Sequence, residues 1–244
     1  MQEVVVENRF RGPPQSGNGG YVGGLFSRTI DPSGRGNVEV TLRSPIPLDN
    51  SMQVNRFEDG TATISDGETL IAQVKSVDWE MEVPAPPDWN DVRAVASKSL
   101  AFGSNLNDLL PGRKGFHPIC FCCGVEHDTG LQVCVAPTGD QVAAIWETKK
   151  SWGASDGLLP VEFLWTAMDC PGQFAYMEKG IRTGMLGRIT AAITERPKAG
   201  ETLLVTAWTI LVEGKKHFAG AAIFDKTGKL YCKAKTVWIG RRED

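Results

Sequence analysis

The chain has 244 residues, with 26 Lys and Arg against 29 Asp and Glu, a formal charge of −3. That balance gives no pull toward nucleic acid, so any phosphate-bearing partner must be met by local charges. A hydrophobic fraction of 41% with 23% charged residues implies a sizeable core and excludes the disordered and collagen-like classes. No stretch approaches the roughly 18 apolar residues that span a bilayer, and Met1-Gln2-Glu3-Val4 lacks the regions of a signal peptide. A cytoplasmic protein without membrane or nucleic-acid partners is expected. Six cysteines are too sparse for a disulfide framework, and the neighbours Cys122 and Cys123 make an awkward bridge pair, so reduced thiols are expected.

In chain order, the first predicted element is a helix over Gly19 to Arg28, ending before Asp31-Pro32. Its Gly20, Gly23 and Gly24 cost helix propensity but let a backbone or ligand come close. Strand-like runs follow at Ser51 to Glu58, Thr61 to Ile64 and Leu70 to Val77, separated by turns at Asp59-Gly60 and Ser65-Asp66-Gly67. Val83-Pro84-Ala85-Pro86-Pro87 opens a linker that contains a helix near Asp88 to Lys98. The domain reading is a first module over 1–83, a linker over 84–115 and a second module over 116–244.

A second helix is predicted from Pro160 to Lys179, with proline suited to its first turn and Gly180 to its end. Val161, Leu164, Met168 and Ala175 recur at helical spacing, and Trp165 and Phe174 widen the stripe until little is polar, the mark of a buried helix. Pro171 inside it is expected to bend it and to free the carbonyl of Ala167. Three strands follow, Glu201 to Val212, Lys216 to Phe224 and Lys229 to Ile239, with turns at Glu213-Gly214 and Asp225-Lys226-Thr227-Gly228. In the last, Leu230, Cys232, Ala234, Thr236 and Trp238 share one face. A shift of about 160 residues aligns Leu70, Ala72 and Val74 with Leu230, Cys232 and Ala234, which suggests a repeat.

One helix and an antiparallel sheet, stated twice, resembles the double hotdog arrangement of type II acyl-CoA thioesterases. Phe163-Leu164-Trp165-Thr166-Ala167-Met168-Asp169 is similar to the family helix that delivers one aspartate. Glu195-Arg196-Pro197 before a long strand and the closing strand ending Thr236-Val237-Trp238-Ile239-Gly240 add to the likeness, as does Asn18-Gly19-Gly20-Tyr21 at a glycine-rich helix entry. The resemblance implies an α+β double hotdog, two antiparallel sheets each wrapped around one central helix. It also implies hydrolysis of an acyl thioester such as acyl-CoA. The family places a threonine and a glutamine around the aspartate; here Gly187 and Trp238 occupy those places, and Thr190 and Gln173 are the nearest substitutes.

Thioester hydrolysis needs a base or nucleophile, donors for the oxyanion and an acyl groove. Asp169 is the candidate base, with Gln173 and Thr190 beside it; Gln173 is four residues on, one helical turn away. The N–H groups at Asn18, Gly19 and Gly20, at a helix start, are the candidate oxyanion donors. The alternative for Asp169 is a buried carboxylate capping the backbone freed by Pro171 or bonded to a neighbour, and for Asn18-Gly19-Gly20 a tight turn with an ordinary cap. The missing partners at Gly187 and Trp238 keep open a non-catalytic acyl-thioester binder. A hotdog enzyme of another reaction type, such as a dehydratase, is a further alternative, although neither helix contains the histidine a dehydratase needs.

His117-Pro118-Ile119-Cys120-Phe121-Cys122-Cys123-Gly124-Val125-Glu126-His127 is the remaining conspicuous string. Cys120 and Cys123 have the spacing of a zinc knuckle, which His117 and His127 would complete. A second C-x-x-C is missing, so the first reading of the string is a turn with small thiols packed beneath it, with a metal site and redox chemistry as the alternatives, and Cys170 reads as a core residue. No metal and no cofactor is assigned. Hotdog sheets commonly pair edge to edge, so a two-module chain would resemble a dimer and could associate further into a homo-oligomer.

Overall fold

The computed structural model describes residues 2–102 and 118–240, so His117 and the end of the expected linker lie outside the described residues. The first half runs through β1 (Gln2–Val5), α1 (Gly19–Ser27), β2 (Val38–Leu42), β3 (Ser51–Arg56), β4 (Ala62–Asp66) and β5 (Thr69–Ser76). After α2 (Trp89–Val95) come β6 (Ala136–Thr138), β7 (Gln141–Glu147), α3 (Val161–Ala167), α4 (Cys170–Met177) and β8 (Met185–Ile193). The chain closes with β9 (Thr202–Glu213), β10 (Lys216–Phe224) and β11 (Leu230–Ile239). The strand expectations for β3 to β5 and β9 to β11 hold to within two residues at each end.

The expectation of two antiparallel sheets is corrected: among the described residues the strands form one 11-stranded sheet in the order β1-β3-β4-β5-β2-β8-β11-β10-β9-β7-β6. The join is β2 against β8, antiparallel, with Glu39 opposite Thr190 and Val40 opposite Ile189. Left apart, each of these strands would present a row of unpaired N–H and C=O groups, and pairing satisfies both rows. Outward from the join the two sides repeat one order, β2-β5-β4-β3-β1 and β8-β11-β10-β9-β7, with β6 added beyond β7. Leu70, Ala72 and Val74 of β5 and Leu230, Cys232 and Ala234 of β11 therefore occupy the same place, one strand out from the join.

The single bent helix is corrected as well. Asp169 has φ −82 and ψ −87, outside helical geometry, so α3 ends and α4 begins afresh with Pro171 in its first turn. Proline costs little there, because a first-turn N–H has no intrahelical acceptor. Helix α1 crosses α3 at close range on its glycines: a Cβ at Gly24 would lie 2.7 Å from the Glu162 Cα, and one at Gly23 would lie 2.8 Å from both Ile189 and Trp165. What the glycines admit is thus the helix of the other half. The main core, with Phe26, Ile64, Leu164, Phe174 and Ile189 fully buried, fills the space between helices and sheet. On the opposite face, Val92 of α2 packs with Ala143, Leu204, Ala222 and Phe224 in a second small core, so this helix of the linker covers the back of the sheet.

Candidate active site

Asp169 lies at the junction between α3 and α4, with 2% of its surface exposed. It faces the start of α1 in the other half. Asn18 caps that helix, its Oδ1 accepting from the Tyr21 N–H at 2.9 Å. The same side chain uses Nδ2 to donate to Asp169 Oδ2 at 2.9 Å, and the Gly20 N–H donates to that oxygen at 2.9 Å. Gly20 must be glycine for this approach, because a Cβ would lie 2.6 Å from the Asp169 Cβ and 2.6 Å from the Trp165 carbonyl oxygen. Asp169 Oδ1 is buried and has no hydrogen-bond partner among the described residues.

Burial dominates the electrostatics. Loss of water raises the Asp169 carboxyl from its ordinary 3.8 to about 7, against the opposing pull of the Gly20 N–H; Cys120 adds to the rise and Asn18 opposes it. Asn18 Nδ2 also lies 3.7 Å from Cys120 Sγ, so one amide touches both the carboxylate and a thiol. Cys120, Cys122, Cys123 and Cys170 are all buried and free. The Cys120 thiol is held well below its usual value by Cys123 and then Cys170, while burial pushes Cys122 up.

The structure brings Asp169, Asn18 and Gly20 together across the two halves. The Gly20 N–H is already spent on Asp169, so it is not an unpaired donor; the Gly19 N–H has no acceptor among the described residues. Gly19 itself lies over β8, where a Cβ would meet Leu186 at 2.6 Å. Asp169 does not cap its own helix; both bonds of its carboxylate run to α1.

Gln173 and Thr190 make no bond to Asp169. Gln173 Nε2 donates to the Gly184 carbonyl at 2.9 Å, because the break at Asp169 removes the helical register that a four-residue spacing assumes. Thr190 Oγ1 lies 3.4 Å from Glu39 Oε2 on the side of β8 away from α1, where the alternation of a strand puts it while Ile189 meets Gly23. At the position where the resemblance would place a glutamine, the buried Trp238 donates from Nε1 to Thr236 Oγ1 at 3.1 Å. Both atoms crowd Gly172, whose Cβ would lie 2.6 Å from Thr236 Oγ1 and 3.2 Å from Trp238 Nε1.

Sequence reasoning missed that the cysteine string belongs to this junction. Phe121 N–H bonds to the Arg11 carbonyl at 2.8 Å, which docks the turn on the segment before α1. Phe121 also meets Phe10, Tyr21 and Phe163 edge to face. A cysteine next to the candidate base, Cys170, together with a second cysteine-rich segment, was the available signal.

Among solved structures, a candidate thioesterase II of Thermobifida fusca YX matches with a TM-score of 0.63 at 12% identity, covering 98% of this chain and 93% of its own. A candidate thioesterase of Novosphingobium aromaticivorans matches at 0.58 and 15% identity, covering 98% and 94%. The fold is thioesterase-like. A tesB protein of Mycobacterium avium subspecies paratuberculosis agrees at 0.57 and 14% identity, covering 93% and 88%. No protein-family model and no curated protein matches the sequence. Likeness at this level concerns the fold alone, while the chemistry rests on the residues at Asp169.

Proposed function

We propose that this chain is a double hotdog hydrolase of acyl thioesters, acyl-CoA being the substrate class, with Asp169 as general base. The observation that carries the reading is the division of labour within one carboxylate. Oδ2 is fixed by Asn18 and Gly20 from the other half, and Oδ1 is buried and unpartnered. In this reading Oδ1 takes a proton from water as the water oxygen attacks the carbonyl carbon. The carbon–sulfur bond then breaks, the proton passes to the leaving thiolate, and the products are a carboxylic acid and a thiol. The Gly19 N–H, at the positive end of α1, is the donor available to the oxyanion.

The test is thiol release from short-, medium-, long-chain and aromatic acyl-CoAs by the wild type and Asp169→Asn. A loss of about 100-fold or more in kcat, with KM little changed, is expected for removal of a general base. Turnover undiminished in the variant removes Asp169 from the reaction. The buried Trp238 in the glutamine's place favours one second reading, an acyl-thioester binder without turnover; binding of every acyl-CoA with hydrolysis of none selects it.

A further inference from the structure

Three thiols converge beside Asp169 that the reaction proposed above does not use. Cys120, Cys123 and Cys170 are buried, and their sulfurs all lie within 4.8 Å of one another. Cys120 Sγ and Cys170 Sγ are 3.7 Å apart. Zinc–thiolate bonds of about 2.3 Å at tetrahedral angles place neighbouring sulfurs about 3.8 Å apart. The observed separation fits two ligands on one ion.

The backbone supports the same arrangement. The Gly124 N–H donates to the Cys120 carbonyl at 2.8 Å, and a Cβ at Gly124 would lie 2.4 Å from the Cys120 nitrogen. Only glycine lets the chain fold back this tightly, and the fold-back brings both sulfurs of the C-x-x-C to one side. The third sulfur comes from the first residue of α4, 50 residues further along the chain. His127, which the spacing offered as a ligand, is turned elsewhere, its Nε2 lying 2.7 Å from the Arg9 carbonyl. No other convergence of three His, Cys, Asp or Glu ligand atoms occurs among the described residues.

We propose that Cys120, Cys123 and Cys170 bind one thiophilic cation, zinc, in a site that ties the cysteine turn to the start of α4. Soft thiolates select such an ion over magnesium or calcium. Binding forms three Zn–S bonds, and each thiol still protonated gives up its S–H proton as its bond to the ion forms. Cys122 and Asp169 lie outside the close group, which leaves the fourth tetrahedral position to another ligand. The site stands independently of the thioesterase reading.

The test is metal analysis of the full chain, expressed in zinc-supplemented medium and purified under reducing conditions without chelator. About one zinc per chain is expected in the wild type. Cys120→Ser, Cys123→Ser and Cys170→Ser each lose it, whereas Cys134→Ser and Cys232→Ser retain it. Where a serine variant does not fold, the wild type grown with cobalt decides: sulfur-to-cobalt charge-transfer bands and the visible bands of a tetrahedral ion are expected. A wild type with below about a tenth of an equivalent of zinc, or a cobalt protein without thiolate bands, overturns the proposal and makes the three thiols packed core. Acyl-CoA hydrolysis measured on the same samples reports separately on Asp169.

Discussion

The Asn18 amide and the Asp169 carboxylate, 151 residues apart in sequence, meet at 2.9 Å across the boundary between the two halves. Asn18 does two jobs there, capping α1 with its oxygen and binding Asp169 with its nitrogen. The two are separable by substitution. Asn18→Ser keeps a capping oxygen but cannot reach Asp169, so it reads the bond between the halves, at about 1–3 kcal/mol for a buried carboxylate that loses a donor. Asn18→Ala loses the cap too and is expected to cost about 1 kcal/mol more. Urea unfolding of both checks this; equal stability of the two variants would mean that the cap contributes nothing.

Gly20→Ala tests the closeness of α1 to the α3–α4 junction. The new methyl meets backbone at the Trp165 carbonyl and at the Thr166 Cα, 2.6 and 2.8 Å away, and backbone does not rotate aside. A loss of about 2 kcal/mol or more is expected, as for overpacking of a tight core. An unchanged Tm would show that the two halves separate easily.

Arg196 holds the segment leading into α3. Its Nε donates to the Leu159 carbonyl at 2.7 Å, and its Nη atoms reach the Leu158 carbonyl and Asp156. Lysine preserves the charge but not the fork. Arg196→Lys is therefore expected to lower stability by about 1 kcal/mol or more, beyond the effect of Asp156→Asn, which leaves both carbonyl bonds in place. The reverse ranking in thermal melts would assign the stabilisation to the ion pair.

Asp31, just after α1, gives a pH signature away from the site. Burial works against its ionisation, but the Ser33 hydroxyl and the N–H groups of Gly36 and Ser33 outweigh it and lower the carboxyl below its ordinary 3.8. A carboxyl depressed in the folded state stabilises fully above the unfolded value, and loses that contribution as pH falls through the folded one. The stability gap between wild type and Asp31→Ala should be constant near neutrality and shrink below about pH 4. A gap that widens in acid contradicts this assignment.

The three strands from Thr202 to Ile239 were legible because alternation and turn glycines are local signals. Strands β2 and β8 were not, since a run such as Val38-Glu39-Val40-Thr41-Leu42 becomes a strand through the partners on either side of it. Pro171 announced an irregularity, yet the choice between bending a helix and starting a new one is made by the backbone at Asp169. That choice placed Gln173 away from the carboxylate. Asp169 was legible through a resemblance, and its approach to Asn18 and Gly20 through the idea of two facing halves. The neighbourhood of Cys170 and Cys120 was not, because no spacing rule links residues brought together only by the way α4 meets a distant turn.

Among the described residues, the antiparallel join of β2 and β8 leaves the sheet with two terminal strands, β1 and β6. The second is three residues long and contains Pro137, which has no N–H to offer a newcomer. Recruitment of an extra strand by main-chain hydrogen bonding is thereby directed to the Gln2–Val5 side, and fibre growth, which demands two receptive ends, is blocked at one of them.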